Sequence, residues 1–472
     1  MSESVVIGAV IIARHGDRQE FYQDPDTYAV TSTEITPLGE AQEWQLGNLL
    51  RSIYLNATSP SYIMDIAPYT STFDGTQVEV YADNSGTDEV IMDSCAAAVQ
   101  GMWQATTAEN ITLANGTTIT SPLGGYQYVP INAVDPDTDL SLEGTTDCTA
   151  FSQRTESFYN SSMFAEKAKE SAAFLDELSP YVGGRSVELS NMWNIYDYMN
   201  VQSVHNATYT LPAAYLEQAF TLASWHEYNV FSDSSFTGVG NIAFQTMLPG
   251  VLSSFQRIAN SSDPLKLSYY EVSYKPFMSL FNMTGVNNAG VPAALVDYAS
   301  SIVLEVRQSE SSTEPLIRFQ FKNGSADANF TRYSMSFSGW NGASGADVPL
   351  STFLTAFEPA AINTTLQWCN VCGQTTERGC ATALAAADYA NGSGARHQKI
   401  TPVGAGFLGA GLTAAVFLMA LGVLLLLGVL TLGAGRFRRR RSVAAAEKRD
   451  TKLRGDELEL HSEANSLAQA QV

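Results

Sequence analysis

The sequence predicts an α/β ectodomain, with a mixed central sheet flanked by helices and an inserted, mainly helical subdomain, followed by one C-terminal transmembrane helix. Three observations carry this expectation. Short runs rich in β-branched residues occur towards both ends of the ectodomain, helical periodicity fills its middle, and an uncharged stretch from Thr401 to Gly435 runs directly into arginines.

Val5 to Ala13 reads as a buried strand that delivers Arg14-His15-Gly16 to a loop, and ligand sites in open α/β sheets sit at such strand ends. Thr36-Pro37 then opens a helix running through Tyr54, with apolar Leu38, Trp44, Leu46, Leu49, Leu50 and Ile53. A second strand is expected at Val78 to Tyr81 and a second helix from Glu89 to Trp103. Residues from about 110 to 264 favour helices, patterned at Ser161 to Leu178, Met192 to Asn200, Ala213 to Tyr228 and Ile242 to Ala259. Strand-like runs return at Leu267 to Tyr274, Ser301 to Arg307, Leu316 to Lys322 and Arg332 to Phe337. The expected organisation is an ectodomain at 1–380, an Ala/Gly/Ser-rich stalk at 381–402, a membrane span at 403–435 and a flexible basic tail at 436–472.

Phe407 to Leu432 is almost wholly apolar or small, and 26 helical residues cover about 39 Å against a hydrocarbon core of about 30 Å. Arg436 and the run Arg438 to Arg441 follow at once, which places the C-terminus in the cytosol and the ectodomain in a lumen or outside the cell. Eleven Asn-X-Ser/Thr sequons, at Asn56, Asn110, Asn115, Asn160, Asn206, Asn260, Asn282, Asn323, Asn329, Asn363 and Asn391, all precede the span, so N-glycans are expected. The first residues lack a basic n-region and a cleavage site, so either a signal peptide upstream of them or an uncleaved entry route is expected.

Before residue 436 there are 17 Lys and Arg against 42 Asp and Glu, a net charge of −25. Such a surface repels polyanions and argues against a nucleic-acid partner. In an oxidising lumen the five cysteines imply disulfides with one thiol left over, and their pairing stays open. Cys369-X-X-Cys372 has no second Cys/His pair to complete a zinc site, so neither a metal nor a cofactor is expected.

Arg14-His15-Gly16-Asp17-Arg18 matches the pattern Arg-His-Gly-X-Arg, and Ile35-Thr36-Pro37-Leu38-Gly39-Glu40-Ala41-Gln42 matches Leu-Thr-Pro-X-Gly-X-X-Gln at the usual distance. With Val348-Pro349-Leu350-Ser351-Thr352-Phe353 and Trp368-Cys369 near the far end, the chain resembles the histidine acid phosphatases over residues 5–375. The resemblance implies that His15 is a nucleophile forming a phosphohistidine. It makes Arg14 and Arg18 the clamp on the non-bridging oxygens, assigns Thr36 with them to substrate binding, and implies a small phosphomonoester or phosphate as ligand.

Two departures set the limits of that resemblance. The family places further arginines on the second strand and its following helix, yet Val78 to Asp83 and Glu89 to Ser94 hold no basic residue. It also ends a later strand with His-Asp, the general acid, where this chain has Ser273-Tyr274. His226-Glu227 is the nearest displaced acid, equally explained as a polar helix face, and His205 beside the Asn206 sequon reads as exposed. Losing a general acid costs about 10²- to 10⁴-fold and one electrostatic donor about 10²- to 10³-fold. Two functions are therefore carried forward: a lumenal or cell-surface acid phosphatase, and a catalytically degraded pseudophosphatase that binds phosphate or serves as a surface glycoprotein.

Overall fold

The computed structural model describes residues 4–390 apart from 31–32, 85–88, 310–313 and 343–345. The expected membrane span, the tail, the Asn391 sequon and most of the stalk lie outside the described residues. No helix among the described residues is long and apolar enough to cross a membrane.

Strand β1 (Val5–Arg14) leads into α1 (Pro37–Tyr54), β2 (Val78–Asp83) and α2 (Val90–Met102). A small hairpin of β3 (Ile111–Thr112) and β4 (Thr118–Ile119) and a single turn, α3 (Pro122–Gly125), precede β5 (Asn132–Val134). The helical part follows as α4 (Thr149–Tyr159), α5 (Ser162–Leu178), α6 (Met192–His205), α7 (Tyr215–Val230), α8 (Ile242–Gln245) and α9 (Leu248–Ala259). The chain then returns to the sheet through β6 (Leu267–Val272), α10 (Lys275–Thr284), β7 (Ser301–Gln308), β8 (Leu316–Lys322), β9 (Thr331–Tyr333) and β10 (Val348–Pro349), and closes with α11 (Leu350–Phe357), α12 (Thr365–Cys372) and α13 (Cys380–Ala390).

The sheet runs β10-β8-β7-β1-β6-β2-β5, with β9 added on β8. Its β1-β6-β2-β5 half is parallel, and β7 to β10 pair antiparallel beyond β1. The mixed sheet and inserted helices agree with the expectation, with one adjustment. Because β5 pairs with β2, the helical insertion starts after β5 rather than near residue 110. Residues 381–390, assigned by composition to the stalk, continue helix α13.

Both faces of the sheet are covered, which is why β1 reads as one apolar run. Ala9, Ile11 and Ala13 pack under α1 and α2, while Val10 and Ile12 face the helical layer. A register shift between Val6 and Gly8 sets this alternation. Gly8 is required there, since a Cβ would stand 2.3 Å from Ile258 Cγ2 on α9 and 2.6 Å from the Lys266 carbonyl.

Cys148–Cys372 and Cys369–Cys380 are disulfides, and Cys95 is a buried free thiol. The two cysteines of Cys369-X-X-Cys372 thus bond to different partners. Among the described residues no cluster of three or more His, Cys, Asp or Glu could hold a metal ion.

Candidate active site

The loop after β1 is held by backbone contacts that only glycine permits. A Cβ on Gly16 would meet the Gly39 carbonyl at 2.5 Å, and one on Gly39 would meet the Asp17 carbonyl at 2.1 Å. The first turn of α1 can therefore press against the loop, with Thr36 as N-cap accepting from the Gly39 N–H at 3.2 Å. The Gly16 N–H donates to Ser94 Oγ at 3.0 Å, and the Asp17 N–H donates to Gln42 Oε1 at 2.9 Å. Both motifs read from the sequence are thus brought into one structure.

His15 is 5% exposed, and its Nδ1 lies 2.9 Å from the Gly16 carbonyl oxygen. A carbonyl can only accept, so Nδ1 carries the proton and Nε2 keeps its lone pair. Burial, reinforced by the Arg14 and Arg18 charges, holds the imidazole well below its ordinary pKa. The result is a neutral imidazole with a defined tautomer.

Arg14 donates through Nη1 to the Val296 carbonyl, and its Cζ lies 4.4 Å from the Tyr298 ring centroid and 5.5 Å from that of Tyr274. Its buried Nε has no hydrogen-bond partner among the described residues. Ala299, with φ of 57°, turns the chain through the left-handed region beside Tyr298 and donates its N–H to the His15 carbonyl. Arg18 meets Asp197 of α6 in a two-point pair, Nη1–Oδ2 at 3.2 Å and Nη2–Oδ1 at 3.0 Å, and Asp197 Oδ2 also accepts from the Phe21 N–H at 2.9 Å. Thr36, expected in the substrate-binding set, donates its hydroxyl to Asp17 Oδ2 at 2.5 Å while capping α1, and so holds the loop against the helix.

A cavity of about 200 Å³ opens over the loop, lined by Arg14, Asp17, Trp193, Tyr196, Asp197 and Tyr298 among others. A buried polar network follows β6. At the end of β6, Tyr274 is buried and donates its hydroxyl to Glu227 Oε2 at 2.6 Å; Glu227 Oε1 meets His226 Nδ1 at 2.7 Å, and His226 Nε2 meets the Tyr159 hydroxyl at 2.9 Å. Burial and the Glu227 charge push the Tyr274 phenol well above its ordinary pKa. His226 and Glu227 are each 4% exposed, so they form a buried network rather than a polar helix face. Lys275, the next residue, has its ammonium 3.0 Å from Glu143.

Behind the loop lies a second buried acid pair. Glu271 on β6 accepts from the Tyr269 hydroxyl at 2.6 Å, but its other oxygen and both oxygens of Glu43 on α1 have no hydrogen-bond partner among the described residues. Burial and mutual repulsion raise Glu43 well above the carboxylate range, and burial pushes Glu271 up to about 8.

Sequence reasoning missed Asp197, Tyr298 and the Glu43–Glu271 pair; it read His205 as exposed, which agrees with the structure, but not that its imidazole reaches Asp17. His205 is 35% exposed and bonds Asp17 at 2.6 Å. Nothing local marks Asp197 or Tyr298, because each reaches the loop only through tertiary packing.

No family model matches the chain. The lysosomal acid phosphatase of Bos taurus is 23% identical over 388 residues, covering 79% of this chain and 82% of the relative. The prostatic acid phosphatase of Bos taurus is 23% identical over 310 residues, covering 63% and 72%. Among solved structures, the Klebsiella sp ASR1 phytase aligns with a TM-score of 0.52 at 14% identity, covering 77% of this chain and 99% of that one. A Hafnia alvei phytase in complex with myo-inositol hexakis sulphate aligns at 0.50 and 13% identity, covering 78% and 98%. At that identity the phytases share the fold. Together with the loop of Arg14, His15 and Arg18 at the end of β1, the acid phosphatase relatives agree with the resemblance to the histidine acid phosphatase family read from the sequence.

Proposed function

We propose that the chain is a phosphomonoesterase working through a phosphohistidine at His15, on an ectodomain that is N-glycosylated, faces a lumen or the cell exterior, and is anchored by the span at 403–435. The observation that carries this reading is the His15–Gly16 contact, which fixes the proton on Nδ1 and leaves Nε2 free to attack phosphorus. The depressed imidazole pKa keeps that lone pair available in acid solution. Arg14 and Arg18 bring positive charge beside the attacking nitrogen, where the non-bridging oxygens gather charge in the transition state. The acid phosphatase relatives support the same chemistry.

Charge narrows the substrate. Asp17, Asp197 and Asp297 line the cavity of an ectodomain carrying −25, which disfavours polyphosphorylated ligands and favours a small ester with one phosphate. Ten of the eleven sequons lie among the described residues, and most of these asparagines are exposed, consistent with glycosylation. The uncharged span and the arginines after it support the anchor.

A second reading, phosphate binding without turnover, is favoured by two observations. Arg18 is already held at two points by Asp197, and Tyr274 stands where the family keeps its acid. The test is phosphomonoester hydrolysis by the full-length chain from about pH 3 to 7, alongside His15→Ala. Turnover lost on substitution by more than about 10³-fold supports the phosphohistidine. Vanadate binding without turnover selects the second reading.

A further inference from the structure

The His-Asp pair that the segment after β6 lacks has a counterpart beside His15. His205 closes α6 and brings Nε2 to 2.6 Å from Asp17 Oδ2, across 188 residues of sequence. The Asp17 carboxylate is fixed from two further directions: Thr36 donates to the same oxygen at 2.5 Å, and the Asp17 backbone is pinned by Gln42 and by the Thr36 N–H at 3.0 Å. The two partners differ in access. The Asp17 side chain is 2% exposed and lines the cavity, whereas the His205 side chain is 35% exposed and reaches solvent. Asp17 also stands two residues from His15.

A proton donor to a leaving group needs an acid held near the reacting oxygen and resupplied from water. An Asp facing the cavity, bonded to a His facing solvent, meets both conditions. A surface ion pair that only stabilised the fold would contribute little here, since the Asp17 carboxylate already has the Thr36 hydroxyl.

We propose that Asp17 and His205 are the general acid–base pair of this site, replacing the His-Asp pair that the end of β6 lacks. The inference rests on the phosphohistidine reading above. In the first step Nε2 of His15 bonds to phosphorus, and the phosphorus–oxygen bond to the leaving group breaks with its electron pair on that oxygen. The oxygen takes the proton shared by Asp17 and His205. In the second step water bonds to phosphorus, the nitrogen–phosphorus bond breaks with its pair returning to Nε2, and the water's proton goes back to the Asp17–His205 pair.

The leaving group supplies the test. Full-length wild type, His205→Ala and His205→Asn are assayed on nitrophenyl phosphate, whose leaving group departs without a proton, and on glycerol 2-phosphate, whose alkoxide needs one. Sites are counted by vanadate binding, so that misfolded protein drops out of the rates. The expected result in both variants is a fall in kcat/KM of about 10²- to 10⁴-fold on glycerol 2-phosphate, with less than about tenfold loss on nitrophenyl phosphate. Equal falls on both esters, or rescue by Asn, which keeps a donor to Asp17 but cannot pass on a proton, would mark the contact as structural and overturn the proposal. A wild type that turns over, with variants of unchanged substrate ratio, removes this inference alone. A wild type that binds vanadate but hydrolyses neither ester removes the phosphohistidine reading and this inference with it.

Discussion

The loop after β1 and the segment after β6 are built on different plans. The loop is one five-residue segment, Arg14 to Arg18, whose backbone is locked against α1 by the Gly16–Gly39 approach and against α2 by Ser94. After β6 and at the end of β2 stand Tyr274 and Asp83, with no arginine beside them in those segments, and neither lines the cavity over the loop. The Tyr274 hydroxyl bonds Glu227, which bonds His226 and through it Tyr159, so that segment serves the core. The contrast teaches that a loop can keep a motif's local geometry while a distant segment is absorbed into the fold.

The largest test of this contrast is Asp197→Ala, which removes a buried two-point partner of Arg18. A loss of about 3–5 kcal/mol in unfolding free energy is expected, partly restored by added phosphate, with a larger phosphate-induced rise in Tm than in wild type. If phosphate shifts the Tm of both proteins equally, Arg18 does not face the ligand. Tyr274→Phe should cost about 1–3 kcal/mol in a denaturant titration, because Glu227 loses a buried donor. A neutral outcome would show that the segment after β6 is not held by that network.

Glu271→Gln probes the acid pair behind the loop. A carboxyl whose folded pKa is raised binds its proton more tightly in the native state. Its folded-state preference is therefore complete below the unfolded value near 4.5, and stability falls as pH rises towards about 8. The variant lacks that titration, so it should gain on wild type by about 1–3 kcal/mol on moving from the acid to the alkaline end of this window. A difference independent of pH would place the proton elsewhere. The smallest effect is expected at Asn282. Its amide donates to the Asp233 carbonyl at 2.7 Å and to Asn241 Oδ1 at 3.0 Å, and Thr284 of the same sequon is fully buried, so peptide mapping should find no glycan there.

Legibility in the sequence followed the same division between local and distant determinants. Helix α1 begins and ends where Thr36-Pro37 and the apolar spacing place it, because an N-cap and an N1 proline act within one turn. Strand β8 likewise matches its alternating pattern from Leu316 to Lys322. The run from Ile242 to Ala259 reads as one helix but divides into α8 and α9 ahead of Pro249, since proline is tolerated in a first turn and not in an interior. The motif located His15 and both arginines, yet their engagement by Asp197, Val296 and Tyr298 depends on segments more than 170 residues away. His205 was visible as a residue and invisible as a partner for the same reason.

The paired disulfides also decide how this domain bears force. A pull at Ala390 passes along α13 to Cys380, crosses to Cys369, and is shared through Cys372 with Cys148 at the start of α4. The Trp368 indole on the Gly144 carbonyl and the Arg378 guanidinium on the Pro136, Glu143 and Thr146 carbonyls brace the same junction. Load entering at Ala390 therefore meets covalent cross-links that tie α13 to α12 and α12 to the start of α4.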